Sequence, residues 1–176
     1  LLRNERMPTR ARSLTRPVIS VGNLVVGGSG KTPVVATLAR LLVEGGERPS
    51  ILTRGYGRRI YQDGAVVVST PDRVIEPVER SGDEPQMLAR ALPGVPVIVG
   101  SDRHLSGTLA ERRFGCTVHL LDDGYQHLQL WRDVDLLLMT KADLDDRVLP
   151  SGRLREPVAA AGAADALLVM GNPDDA

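Results

Sequence analysis

The chain has 176 residues, the size of one domain, and 42% of them are hydrophobic but only 3% aromatic, so it can bury a core and that core must be aliphatic. Basic and acidic residues number 22 each, so no net field draws the chain to nucleic acid, and a lone cysteine, Cys116, excludes a disulfide framework or a multi-cysteine zinc site. No apolar run approaches the roughly 18 residues that a bilayer span needs.

Residues 1–16 form a basic arm, with Arg3, Arg6, Arg10, Arg12 and Arg16 against Glu5 alone. Val18 to Val21 is the first expected strand. A glycine-rich turn follows, and then an apolar stripe at Val35, Leu38, Leu41 and Leu42 predicts a helix from Thr32 to Val43, ended by Gly45-Gly46. Ser50 to Thr53 is a second strand, closed by the turn-prone Arg54-Gly55-Tyr56-Gly57, and Ala65 to Ser69 is a short third. A helix from Asp83 to Leu92, a strand from Val95 to Val99 and a helix from Asp102 to Phe114 come next. Val118 to Leu121, Val134 to Met139 and Ala166 to Met170 read as three more buried strands. Aliphatic runs that alternate with helical stretches predict an α/β fold, a mostly parallel sheet flanked by helices on both faces. Residues 70–82 and 140–157 are long, charged and proline-bearing, and read as working loops.

Directly after the first strand stands Gly22-Asn23-Leu24-Val25-Val26-Gly27-Gly28-Ser29-Gly30-Lys31-Thr32, and a helix follows. Strand, glycine-rich turn, Lys-Thr and helix are the context of a P-loop, in which backbone N–H groups and a helix N-terminus face phosphate oxygens. Lys31 then supplies a positive charge to the phosphates, and the Thr32 hydroxyl is placed to ligate Mg²⁺. Lys31 is one of only two lysines, with Lys141, which argues against surface filler. Val25 stands where the generic pattern has its first glycine, and Gly27 and Gly28 take up the turn instead.

The strand from Val118 ends in Asp122-Asp123-Gly124-Tyr125-Gln126-His127. Taken alone, Asp-Asp-Gly is an ordinary turn; beside a P-loop, two adjacent carboxylates at a strand end point to a cation. Ser81-Gly82-Asp83-Glu84-Pro85-Gln86 opens a helix, and Ser81 or Asp83 serves either as its N-cap or, for Asp83, as a base on a substrate hydroxyl with its neighbour on the metal. The spacing leaves both readings open.

Six segments in register across residues 17–157 resemble the tetraacyldisaccharide 4′-kinase family, the lipid A 4′-kinases of Gram-negative bacteria. They are Pro17-Val18-Ile19-Ser20-Val21-Gly22-Asn23, Val26 to Pro33, Thr53-Arg54-Gly55-Tyr56-Gly57-Arg58, Gly82-Asp83-Glu84-Pro85, Asp122 to His127, and Leu149 to Pro157. The resemblance implies ATP- and Mg²⁺-dependent phosphorylation of the 4′-hydroxyl of a tetraacylated glucosamine disaccharide 1-phosphate, at the cytoplasmic face of the inner membrane. It implies Asp83 as base, with Lys31 also catalytic. Gly27, Gly28, Ser29, Gly30, Lys31 and Thr32 are the phosphate cradle. Tyr56, Arg103 and Arg155 stand near the sugar and phosphates, and Thr32, Glu84, Asp122, Asp123, Gln126 and Glu156 form the metal and water shell. It implies a lipid disaccharide and an anionic membrane surface as partners, with no nucleic acid and no obligate protein partner. Family members begin with a membrane-associated helix and continue into a second domain whose histidine partners the catalytic aspartate. The chain opens on Leu1, and no residue after 157 matches that second domain. The expectation is therefore residues 1–16 as a juxtamembrane remnant and 17–176 as a P-loop kinase domain truncated at its carboxyl end, binding nucleotide but turning over slowly. Two alternatives stand beside it. One is a nucleotide switch or metallochaperone NTPase; Met139-Thr140-Lys141-Ala142-Asp143 stands where a guanine-reading Asn-Lys-x-Asp element would, but Thr140 replaces the asparagine that reads the base, which counts against it. The other is an inactive nucleotide-binding fragment.

Overall fold

Each aliphatic run becomes a strand in the computed structural model, which describes residues 8, 10–27, 30–60 and 63–171. The strands are β1 (Val18–Asn23), β2 (Pro49–Thr53), β3 (Ala65–Ser69), β4 (Val97–Gly100), β5 (Val118–Asp122), β6 (Val134–Met139) and β7 (Ala166–Val169). Between them lie helices α1 (Lys31–Glu44), α2 (Val78–Ser81), α3 (Asp83–Ala91) and α4 (Arg103–Phe114), with 3₁₀ turns at Lys141–Asp143 and Val158–Ala163. The strands make one sheet in the order β3-β4-β2-β5-β1-β6-β7. Every pairing is parallel except β3 with β4, which runs antiparallel at one edge and slips register between Val67 and Ser69.

Alternation along the strands divides the core between the two faces. Ile51, Val97, Val99, Leu120 and Leu138 pack with Val35, Ala36 and Ala39 of α1 and with Leu88 and Ala89 of α3. Their neighbours Leu52, Ile98 and Leu121 point the other way, onto Ala110 of α4, Cys116 and Leu130. On that second face Leu137 and Met139 of β6 pack with Leu24, Val25, Tyr125 and Leu154. Helices and structured loops thus cover both faces, as a parallel sheet requires.

Three expectations need correction. β7 is not buried: Val169 is 77% exposed, because β7 closes the sheet at one end and pairs only with β6. Residues 78–81, read as loop, form the short helix α2, entered at Pro77, whose fixed φ suits a helix start. Neither Ser81 nor Asp83 caps α3. Gly82 holds that position without a side-chain cap, and the Ser81 hydroxyl instead donates to the carbonyl of Pro77, 3.0 Å away. The described part of the basic arm is tied to α4 and to the 129–131 segment: Arg12 pairs with Asp102 at 2.6 Å, and Glu111 accepts the backbone N–H groups of Thr15 and Arg16. The main chain of Arg12 also bonds to Gln129 and Trp131.

Candidate active site

Because β1 and β5 are parallel neighbours, their carboxyl ends and the loops that leave them open on one edge of the sheet, where ligands bind in such folds. A cleft of about 1170 Å³ lies there, lined by Gly27, Gly30, Lys31 and Thr32 from the glycine-rich turn and by Asp122, Asp123, Gln126 and His127 from the end of β5. Glu84, Arg54, Tyr56, Arg103 and Arg155 line it too. Lys31 and Asp122 stand 91 residues apart in sequence, and the topology brings them together.

The glycine-rich turn is anchored from outside. Val25, at the position of the missing glycine, is 5% exposed and bridges to Leu154; the N–H of Val26 donates to Arg153 O at 2.9 Å, and that of Arg155 to Leu24 O at 2.6 Å. A glycine there would lose that apolar anchor. Gly30, at φ 75°, turns the chain into α1, whose first residue is Lys31. Gly22 is required for another reason: a Cβ built on it would stand 2.5 Å from Tyr125 Cβ and 2.8 Å from Tyr125 N, so the β1 exit and the β5 exit touch backbone to backbone. Gly28 and Ser29, expected in the cradle, lie outside the described residues.

The Lys31 ammonium donates to Asn23 Oδ1 at 3.0 Å and stands 3.4 Å from Asp123 Oδ1. Asp123 also faces Arg155, whose Nη1 is 3.0 and 3.1 Å from its two oxygens and 3.1 Å from Gln126 Oε1. The amide of Gln126 donates to Asn23 O at 3.0 Å. Asp123 is the one non-glycine residue with a positive φ, 55°, among those described. Asp122 is different. It is 3% exposed, and burial, then the charges of Glu84 and Asp123, push its carboxyl up to about 6 against the pull of Lys31 and Arg103. A cation beside it would relieve that penalty, and the oxygen donors of Asp122, Asp123, Glu84, Thr32 and Gln126 suit a hard ion such as Mg²⁺. Among the described residues no three His, Cys, Asp or Glu side chains converge tightly enough to hold a metal alone.

Arg103 opens α4 and is 4% exposed; burial, then Arg54, pulls its guanidinium down to about 10. Its Nη1 donates to the carbonyls of Gly100 and Ser101, and its position on the cleft wall suits an anion. Burial, then Arg103 and Arg132, holds the His127 imidazole down to about 4, so it is neutral in the physiological range. Asp83 is exposed at the start of α3, one residue before Glu84; neither it nor the half-buried Glu156 forms part of the cleft wall. Asp143 does not reach the cleft either. Its carboxylate caps its own turn by accepting the Thr140 N–H at 2.7 Å and meets Arg153 at 3.3 Å, which leaves the guanine-reading alternative without its acid.

Sequence reasoning passed over Thr53, Arg54, Ser101, Leu128 and Gln129 as wall residues, and Asn23 as the partner of Lys31. Asn23 carried a signal, a polar residue at the buried end of a β-strand beside the glycine-rich turn.

A family model described as tetraacyldisaccharide-1-P 4′-kinase matches residues 2–176. The tetraacyldisaccharide 4′-kinase of Geobacter metallireducens is 49% identical over 158 residues, which cover 89% of this chain and 46% of that protein. The enzyme of the same name from Aquifex aeolicus is 46% identical over 160 residues, covering 91% and 50% respectively. A crystal structure described as the "apo" form of LpxK from Aquifex aeolicus in complex with ATP superimposes with a TM-score of 0.86 at 46% identity, over 92% of this chain and 50% of that one. The chain thus spans about half the length of the curated relatives it matches.

Proposed function

The chain belongs to the tetraacyldisaccharide-1-P 4′-kinase family, and from that premise we propose that its cleft is where ATP gives up its γ-phosphoryl group to the 4′-hydroxyl of a tetraacylated glucosamine disaccharide 1-phosphate. The observation that carries this reading is the convergence of Lys31, at the helix start after β1, with Asp122 and Asp123 at the end of the neighbouring parallel strand β5, the Lys31 ammonium 3.4 Å from Asp123. That the similar Aquifex protein is described in complex with ATP supports nucleotide binding.

In this reading residues 22–32 are a P-loop. Gly27 to Gly30 are the phosphate cradle, and Lys31 exchanges its contact with Asp123 for phosphate oxygens. Thr32, Asp122, Asp123, Glu84 and Gln126 would hold Mg²⁺, and Glu156, off the cleft wall, is left out of that shell. The ion, when bound, neutralises charge that builds on the phosphates. Arg103 and Arg155, both on the cleft wall, bind phosphate oxygens, and Tyr56 rests against the sugar. Asp83, beside Glu84, takes the proton from the 4′-hydroxyl as that oxygen bonds to phosphorus and the bond to the ADP oxygen breaks. No helix among the described residues is long and apolar enough to cross a membrane. The exposed Arg10 and Arg16 face anionic lipid at the cytoplasmic side of the inner membrane.

The test is a detergent-micelle assay with the full-length protein, following labelled phosphate from ATP to the disaccharide lipid. Asp83→Asn is expected to lower the rate by about a hundredfold or more. An indifferent Asp83→Asn overturns its role as base, and absence of transfer by the unaltered protein overturns the activity.

A further inference from the structure

We propose that Arg132, which stands outside the cleft wall, is a positioning residue that holds the Asp122–His127 turn in its working shape; this rests on reading the cleft as a nucleotide site. Arg132 is the bulkiest of the fully buried side chains, at 1% exposed. Its Nη1 lies 3.1 Å from Gly124 O, 3.2 Å from Tyr125 O and 3.3 Å from His127 O. Its Nη2 pairs at 3.0 Å with Asp135 Oδ2, a carboxylate 1% exposed on β6.

A chain that leaves a strand and reverses at once turns several carbonyls inward, and each needs a donor. The two N–H groups of Nη1 are shared among three of them, while Nη2, the other arm of the same planar fork, is pinned to the sheet through Asp135. A lysine ammonium at the same site has no such fork. The opposite side of the same turn faces the cleft. There Asp123, in the left-handed region, meets Lys31 and Arg155, and Gln126 meets Asn23 and Arg155. Backbone strain at Asp123 persists only where its surroundings over-determine it, and the carbonyls of the next two residues and of His127 are the ones Arg132 holds. The guanidinium therefore sets the direction of two carboxylates that it never touches.

Two variants of the full chain test this. Arg132→Lys keeps a positive charge opposite Asp135 but removes the fork. Arg132→Met with Asp135→Asn removes both buried charges together, which a fold tolerates far better than removing one. The first readout is amide hydrogen exchange. In both variants the N–H groups of Gly124 and His127 are expected to exchange at least about tenfold faster, the worth of one charge-assisted hydrogen bond, while those of Leu120 and Val21 in the strands hold their rates. A residue that only stabilised the domain would instead speed the slow strand amides. The second readout is MgATP binding by calorimetry, expected to weaken about tenfold. Unchanged exchange at Gly124 and His127, acceleration confined to the strands, or wild-type affinity for MgATP in both variants overturns the proposal. Failure of the unaltered chain to bind MgATP overturns the nucleotide reading, and this proposal with it.

Discussion

Replacing Asp122 with asparagine should make the ligand-free protein more stable while removing its response to the metal nucleotide. Asp122 is buried at the end of β5, and burial together with Glu84 and Asp123 raises its carboxyl from 3.8 to about 6. The folded state thus prefers the protonated form. The contribution of this group is fully favourable below about pH 3.8, where both states are protonated, and it is lost as the pH rises through about 6, where the folded carboxyl is forced to ionise. The shift corresponds to about 3 kcal/mol at neutral pH. Asparagine has nearly the same shape and no charge. It should therefore recover much of that amount, a rise in melting temperature of roughly 5–10 °C for a domain of this size. Thermal melts of parent and variant in the presence of a chelator, from pH 3.5 to 8, give the answer as a difference, in which the other carboxylates cancel. The difference should be near zero at the acid end, grow between pH 4 and 6, and then level off. Adding MgATP should stabilise the parent and leave the variant nearly unmoved. A variant less stable than its parent at pH 7.5, or a difference that ignores pH, would refute the assignment of a strained, buried carboxylate.

Lys31→Ala removes the ammonium that stands between Asn23 and Asp123, and MgATP affinity measured by calorimetric titration should fall by roughly ten- to a hundredfold; equal affinities would reduce the glycine-rich turn to a connection. Gly22→Ala forces a methyl against Tyr125 and should destabilise the fold by about 1–3 kcal/mol in urea unfolding, through separation of the two loops that border the cleft; an unchanged midpoint would refute that backbone contact. Burial pushes the Cys116 thiol up to about 11, so it should resist an aromatic disulfide reagent at pH 8 until urea is added. Rapid labelling of the native chain would count against that burial.

The strands were legible because each is a short aliphatic run bounded by turn residues, and for β1, β2, β5 and β6 the run is buried on both faces. β7 has the same composition, yet its burial depends on what lies beside it, and local sequence does not carry that. The order of the strands was equally hidden, since nothing near Val118 announces that β5 inserts between β1 and β2. At the cleft, Lys31 and Asp122 were readable from strand-end position and residue type. Asn23 and Arg132 were not assigned: an arginine between Trp131 and Asp133 reads as a solvated turn, and only the fold shows three carbonyls aimed at it. Asp143 erred in the opposite direction, since spacing suggested a ligand-reading acid and its hydrogen bonds make it a local cap.

The central place of β1 has a consequence for how the protein is made. Its two neighbours are β5 and β6, and the brace on its glycine-rich turn comes from Leu154. Both neighbours are synthesised about a hundred residues after it, so at usual ribosomal rates the first strand waits roughly 5–20 seconds with both edges bare. The later strands β2, β3 and β4 pair among themselves and can associate sooner. The first strand of the sheet is thus seated only once β5 has been made, and a nascent chain stalled before residue 118 carries β1 without a partner on either side, the kind of unpaired edge that aggregates.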